Sequence, residues 1–387
     1  MNCEESYFGW CQKQEANQLD STRSFKSFSR MDSGNSGWYT LADCRLACIL
    51  LSKVSSMWLH SEEPLILLAP MDGYTDSAFR RMVKSIEPRV IVFTEFISAR
   101  DCSRSLASCA KLFKHAPEEQ PLVVQLYGKN PEEFSKAAKM AEQFGAAGID
   151  INMGCPAKKV VAHSHGSALM KDIELAARII EEVKRHTLLP ITVKTRLGWE
   201  HSKQLIPFIK KLESAGLDGV TIHGRTYAQK FVGSADWEPI YALKRTVEIP
   251  VFGNGDITNS GEARSKLGNL DGIMIGREAT FNPWVMKQAA TVLLDHAKDS
   301  GPVSLAVQIP YWIQYLQNLS KEVTERTACL RFRKTLLAHM RRFHIDTQMR
   351  KKAVKVENIG DVERVLNCFV ESLARKGRFF QSPPPKE

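Results

Sequence analysis

Eight short apolar runs, each ending in a polar or glycine-rich turn, constrain this chain more than any other feature. They are Leu65–Ala69, Val90–Thr94, Leu122–Leu126, Gly148–Asn152, Ile191–Thr195, Gly219–His223, Val251–Gly253 and Gly272–Gly276. They are rich in Val, Ile and Leu and lack strict alternation of apolar and polar positions. A strand with one solvated face alternates, so runs of this kind read as parallel strands covered on both faces. Between them lie helix-like stretches such as Pro131–Phe144, Asp172–Arg185 and Ser202–Ala215, which open on Asp, Ser or Pro and close near Gly. Eight strand–helix units in succession predict an α/β fold, a (β/α)8 barrel. A doubly wound sheet is the alternative, but it does not need eight repeats, and no G-x-G-x-x-G follows the first strand.

The flanks differ from this repeat. From about Pro302, the stretches Val307–Val323, Arg326–Phe343 and Val362–Lys376 carry apolar residues at three- and four-residue spacing, which predicts a small C-terminal helical domain. The expected division is an N-terminal extension over 1–60, poorly ordered, a barrel over 61–300, and a helical domain over 301–387. The last six residues, Ser382–Glu387, read as a frayed tail. In the extension, Ser21–Gly37 is polar and Ser-rich. Leu41–Leu59 is more apolar, but Asp43, Arg45 and Lys53 interrupt it. Glu4, Glu5, Glu15 and Asp20 argue against a transit peptide. Cys44 and Cys48 are spaced for one helical face, yet no His or further Cys pair completes a zinc site, so no metal is expected. Met57, just before the first run, is either the true start or the point before which residues are dispensable.

Composition narrows the function classes. No stretch of 18 apolar residues exists, so no membrane span is expected. Nine scattered cysteines, an odd number, indicate a reducing compartment and hence the cytoplasm. Nothing in the sequence specifies an oligomer, and a monomer is the expectation. The formal net charge is +10, and it is unevenly placed. Residues 1–60 are neutral and 61–300 carry +2, whereas 301–387 carry +8. In that last segment Arg331, Arg333, Lys334, Arg341, Arg342, Arg350, Lys351, Lys352 and Lys355 face one acid, Asp346. A bland reading is a solvated helical face; the better one is a surface that tracks phosphates.

In a barrel, chemistry gathers at the C-terminal ends of the strands. Read in order, those ends are Pro70-Met71-Asp72-Gly73, Glu95, Gln125 with Gly128, Asn152-Met153-Gly154-Cys155-Pro156, Lys194 with Arg196, His223-Gly224-Arg225-Thr226, Asn254-Gly255-Asp256 and Gly276-Arg277. Taken alone, each is ordinary. Eight in register are not, because buried parallel strands do not need polar ends for stability. Backbone N–H groups near Gly255 and Gly276, with the forked donor of Arg277, form a phosphate cradle. Lys194 would face negative charge at the N1–O2 side of a reduced flavin, and Gln125 the polar edge of its ring. Cys155 has three readings: a general acid, since a thiol of pKa about 8.5 is protonated at neutral pH; a nucleophile; or a small buried hydrophobe.

These residues resemble a known family, the tRNA-dihydrouridine synthases. Ala69-Pro70-Met71-Asp72-Gly73-Tyr74-Thr75-Asp76 with Ala78-Phe79-Arg80 is similar to their opening motif. Asp150-Ile151-Asn152-Met153-Gly154-Cys155-Pro156 is similar to the motif of their catalytic cysteine. Gly166–Met170, Val193–Trp199, His223–Thr226, Asn254–Ile257 and Gly276-Arg277 continue the likeness in order, over roughly 64–345. The resemblance implies an FMN-dependent barrel with a helical domain that helps to hold tRNA. NADPH would reduce the FMN, flavin N5 would pass hydride to C6 of a tRNA uridine, and Cys155 would protonate C5, giving 5,6-dihydrouridine. Pro70, Met71, Gln125, Lys194, His223, Asn254, Gly255, Gly276 and Arg277 match FMN-binding positions. Asn152 and Arg196 are candidates for uracil contacts, and Arg341, Arg342, Lys351 and Lys352 for tRNA. The preference for NADPH rests on the resemblance alone. Two departures stand out: His163-Ser164-His165-Gly166 replaces the glycines or basic residue of many relatives, and the N-terminal extension has no counterpart. Competing readings are a flavin barrel acting on a small molecule, against which the basic C-terminal segment argues, and a non-catalytic RNA-binding barrel, against which Cys155 argues.

Overall fold

The computed structural model describes residues 57–104, 106–299, 301–342 and 347–375, with the side chains of 106–108, 111, 341 and 342 also outside the description. The extension through residue 56, with Cys44 and Cys48, and the tail from 376 therefore lie outside the described residues.

Nine strands and fourteen α-helices follow one another among the described residues. The strands are β1 (Leu65–Leu68), β2 (Val92–Phe93), β3 (Ile97–Ser98), β4 (Leu122–Tyr127), β5 (Gly148–Asn152), β6 (Ile191–Arg196), β7 (Gly219–His223), β8 (Val251–Asn254) and β9 (Gly272–Ile275). The barrel helices are α1 (Ser77–Ile86), α2 (Ala99–Arg104), α3 (Leu106–Phe113), α4 (Pro131–Gln143), α5 (Lys158–Ala162), α6 (Ile173–Lys184), α7 (Leu205–Ser214), α8 (Glu238–Lys244), α9 (Ser260–Leu267) and α10 (Trp284–Leu293). The C-terminal helices are α11 (Leu305–Leu319), α12 (Glu325–Arg342), α13 (Thr347–Ala353) and α14 (Ile359–Arg375).

All strand pairs are parallel, in the order β1-β9-β8-β7-β6-β5-β4-β2. A bridge between Leu67 and Ile91 joins the two ends of that order and closes the ring. The second apolar run is split: β2 pairs with the start of β4 and β3 with its end, so two short strands share one barrel position. Local chemistry starts the helices. Asp76, Asn130, Asp172 and Asn259 each accept a backbone N–H of the first turn, and Pro131 opens α4, where its missing N–H costs nothing.

Alternation along each strand separates two cores. Outward residues such as Ile149, Ile151, Ile191, Val193, Val220 and Ile222 pack under the helices. Inward residues Leu67, Ala69, Ile91, Phe93, Val123, Phe252 and Met274 fill the barrel with Trp58 and Leu59. Those last two belong to a 3-10 turn, Met57–His60, that plugs the N-terminal mouth. Trp58 Nε1 donates to Ala147 O at 2.9 Å, and a Cβ on Gly148 or Gly219 would press on the Trp58 or Leu59 side chain.

The C-terminal helices pack on the barrel through aromatic rings. Phe79 of α1 meets Tyr315 edge-on at 6.2 Å, and Trp312 lies 5.5 Å from Phe332. Lys334 of α12 donates to Gly73 O, with its ammonium 3.5 Å from the centre of the Tyr74 ring. No helix among the described residues is long and apolar enough to cross a membrane.

Candidate active site

The barrel's upper layers are polar, and strand periodicity makes them so. Residues two apart on a strand share a face, so β4 turns Gln125 inward, β5 Asp150 and Asn152, β6 Thr192, Lys194 and Arg196, β7 Thr221 and His223, and β8 Asn254. The register sets Gln125 beside Asp150, Asp150 beside Thr192, Asn152 beside Lys194, Arg196 beside His223, and His223 beside Asn254.

Hydrogen bonds run upward from this layer to the cysteine. Thr192 Oγ1 and Gln125 Nε2 donate to the Asp150 carboxylate at 2.7 and 2.6 Å. Asn152 Nδ2 donates to Gln125 Oε1 at 2.9 Å, and Asn152 Oδ1 accepts the N–H groups of Gly154 and Cys155 at 3.2 and 2.9 Å. Arg196 grips the same turn through Nε to Gly154 O at 2.8 Å. Cys155 is thus held from below by a side-chain amide and from beside by a guanidinium.

Charge is set by burial. Desolvation pushes Asp150 up to about 6 and Lys194 down to about 8. It also raises the Cys155 thiol above its ordinary value, against the backbone N–H of Ala157 and the nearby Arg196, so the sulfur holds its proton at neutral pH. His223 falls well below the usual range through burial and four surrounding cations, and is neutral. Its Nδ1 is buried without a hydrogen-bond partner among the described residues. Lys194 Nζ reaches Asn254 Oδ1 at 3.1 Å.

The far rim holds the two glycines singled out in the sequence. Gly255 has φ +128°, and a Cβ there would lie 2.7 Å from Ala235 Cβ, so only glycine fits against that side chain; His223 Nε2 stands 3.6 Å from the same point. Gly276 caps a 3-10 turn opened by Arg277, and a Cβ on it would meet Met71 Sδ at 3.8 Å. Pro70, Met71, Lys194, His223, Asn254, Gly255, Gly276 and Arg277 thus surround one mouth. Gln125 lies deeper and is fully buried, its amide shared between Asp150 and Asn152. Asn152 and Arg196 direct their hydrogen bonds to the protein itself, Arg196 also to the carbonyls of Thr226 and Lys230. Lys351 and Lys352 are exposed on α13, while the Arg341 and Arg342 side chains lie outside the described residues. The unusual His163-Ser164-His165 segment follows α5; the His165 ring stands edge-on to Tyr127 at 5.8 Å, and Ser164 has φ +62°.

Two groups were missed by sequence reasoning as site residues. Asp150 sits inside a motif already singled out, but its burial is a tertiary fact. Asp256 was noted only as a strand end, yet burial notwithstanding it is held below the usual carboxylate range by a two-toothed ion pair with Arg225, both contacts 2.8 Å. Lys194, Arg196, Arg225 and Arg277 outnumber the carboxylates here, so this side of the mouth suits an anionic ligand.

A family model for dihydrouridine synthase (Dus) matches residues 67–374. The probable tRNA-dihydrouridine synthase of Rickettsia conorii is 43% identical over 260 residues, 66% of this chain and 77% of that one. The tRNA-dihydrouridine synthase B of Pseudomonas aeruginosa is 37% identical over 248 residues, 63% and 73% of the two chains. The probable tRNA-dihydrouridine synthase 1 of Synechocystis is 30% identical over 323 residues, 83% and 89%. With the match running from the first barrel strand into the last described helix, this chain belongs to the dihydrouridine synthase family.

Proposed function

We propose that this chain is an oxidoreductase that reduces a specific uridine of tRNA to 5,6-dihydrouridine, with FMN as cofactor and NADPH as reductant. The observation that carries the reading is Cys155, a protonated thiol fixed by Asn152 and Arg196 at the edge of a cationic barrel mouth, in a chain of this family.

The residues present fit FMN. The unpartnered Nδ1 of neutral His223, the ammonium of Lys194 and the cationic side of the mouth suit a polar, phosphate-bearing ligand. Pro70, Met71, Gln125, Lys194, His223, Asn254, Gly255, Gly276 and Arg277 would hold it, with Gly276 and Arg277 toward phosphate. FMN, when bound, supplies the hydride that C6 of the uracil receives, and NADPH restores it.

The protein's own contribution is protonation and charge. Hydride addition at C6 leaves negative charge on C5 and the adjoining carbonyl. Cys155 gives its proton to C5; a thiol with a raised pKa still has that proton at neutral pH. Lys194 stabilises negative charge in a water-poor mouth, where a fixed cation counts for more than in solvent. Asn152 and Arg196 orient the turn that carries the sulfur and line the uracil site. Residues 301–387 serve as the tRNA-binding domain, with Arg341, Arg342, Lys351 and Lys352 on phosphates. The enzyme works as a monomer in the cytoplasm.

Cys155→Ala is expected to lower dihydrouridine formation at least about 100-fold, the usual scale for a lost general acid, while flavin content and tRNA binding persist. Mapping dihydrouridine in tRNA from cells with and without the protein identifies the target position. Undiminished reduction by the variant would sink the role of Cys155, and unchanged maps would sink the activity.

A further inference from the structure

The loop after β7 ends in two apolar side chains that the chemistry of Cys155 and Lys194 leaves unused. Phe231 is 57% exposed and Val232 is 77% exposed. Phe231 is the only phenylalanine among the described residues with so open a side chain. Single exposed hydrophobes are ordinary on protein surfaces, so exposure alone says little. Placement and fixation say more.

Two guanidiniums of the mouth lie near the ring. Arg196, from the end of β6, has its guanidinium carbon 5.5 Å from the ring centre, and Arg277, just past the end of β9, has its own at 5.6 Å. Arg196 also holds Gly154, the neighbour of Cys155, so Phe231 is one side chain removed from the turn that carries the thiol.

The loop is tied at both ends of the exposed pair. Lys230 has φ +51°, a conformation that costs a non-glycine residue about 1 kcal/mol or more. Its carbonyl accepts from Arg196 Nη1 at 2.7 Å. On the other side, the carbonyls of Val232 and Gly233 accept from Arg225, a buried residue locked to Asp256, which also takes the N–H of Ala235 at 2.7 Å. Phe231 and Val232 are therefore displayed on a rigid tip. A loop with no ligand to meet would gain nothing from local backbone strain and two buried guanidiniums committed to presenting an apolar edge to water.

We infer that Phe231, backed by Val232, is a stacking wedge for the RNA strand: it packs against the base exposed beside the target uridine once that uridine leaves its stack. The inference rests on the reading of this site as a uridine reductase of tRNA. A base pulled from a stack leaves an apolar face uncovered, and covering it with an aromatic ring offsets part of the cost of extrusion. Phe231 is a positioning residue, since it touches the neighbour of the reacting base.

The test uses full-length protein and a tRNA carrying 2-aminopurine next to the modified uridine, once mapping has located it. Phe231→Ala should lower kcat/KM for tRNA roughly tenfold or more, the scale of one lost base–aromatic stack, and should reduce the fluorescence change of 2-aminopurine on binding. Phe231→Trp should restore both. An unaltered thermal midpoint for Phe231→Ala establishes that the loss is not one of folding. Equal kcat/KM and equal fluorescence change for Phe231→Ala and parent overturn the wedge while leaving the reductase reading intact. A parent enzyme that reduces no tRNA uridine overturns the reading itself. A variant that fails to oxidise NADPH without tRNA also overturns the wedge, because the ring would then serve the reductant.

Discussion

The protein makes the Cys155 thiolate costly, which the proposed role as an acid requires. Burial raises its pKa, and the carboxylate of Asp72 adds to the effect, while the Ala157 N–H and Arg196 pull the other way without reversing it. The sign of the shift gives a prediction. Iodoacetamide attacks only the thiolate, so alkylation of Cys155 should be slow at pH 7 and should reach half its maximal rate above about pH 8.5, the ordinary thiol value. Peptide mass spectrometry against time at several pH values measures it. Rapid alkylation at pH 7 would mark a stored thiolate and remove the general-acid role. The residue itself was legible in the sequence, through its motif and its place after a strand. Its protonation state was not: the three readings of a lone cysteine separate only when its surroundings are known.

At the scale of the element, β4, β5 and β6 act as one unit through Asp150. Its carboxylate takes hydrogen bonds from Gln125 and Thr192, and through Gln125 and Asn152 it sets the turn that holds Cys155. Asp150→Ala leaves two buried donors unpaired and is expected to cost about 2–4 kcal/mol in urea unfolding. Asp150→Asn should recover most of that, because Oδ1 can still accept from Gln125 while Nδ2 donates to Thr192 Oγ1. The pH dependence follows from the upward shift to about 6 from an ordinary 3.8. The folded state binds the extra proton between those limits, so this group's contribution to stability falls as pH rises from 3.8 to about 6. The Asn variant should lack that component. The parallel strands were legible as apolar runs, because burial on both faces leaves a mark in composition. The split of the second run into β2 and β3 was not, since Val-Ile-Val-Phe-Thr-Glu-Phe-Ile-Ser contains no break residue. The short helix α13 went unseen too: seven residues, three of them basic, leave no apolar period to read. Pairs such as Arg225 with Asp256, 31 positions apart, are invisible until the chain folds.

For the whole molecule, the sequence was most informative about charge. Of the net +10, +8 falls in residues 301–387, where Lys351 and Lys352 stand exposed on α13, and the proposed tRNA contact is testable there. Replacing Arg341, Arg342, Lys351 and Lys352 with Gln should weaken tRNA binding and flatten its salt dependence by about 0.7–0.9 log units per log unit of salt for each phosphate no longer neutralised. Binding titrations between about 50 and 200 mM salt would show it, with flavin content as the control; equal slopes would take this patch out of the interface. The N-terminal boundary is a second global test. Removing residues 1–56 keeps Trp58 and Leu59 in place and should leave the unfolding midpoint unchanged. Trp58→Ala should cost about 3–5 kcal/mol, because Trp58 fills the barrel floor and satisfies Ala147 O.

That floor has a mechanical meaning as well. Trp58 and Leu59 close the apolar layer inside the barrel from below, while the polar side chains stand at the opposite ends of the same strands. Loosening the turn Met57–His60 would therefore be felt first as slack under β5 and β7, where Gly148 and Gly219 leave room for the two side chains.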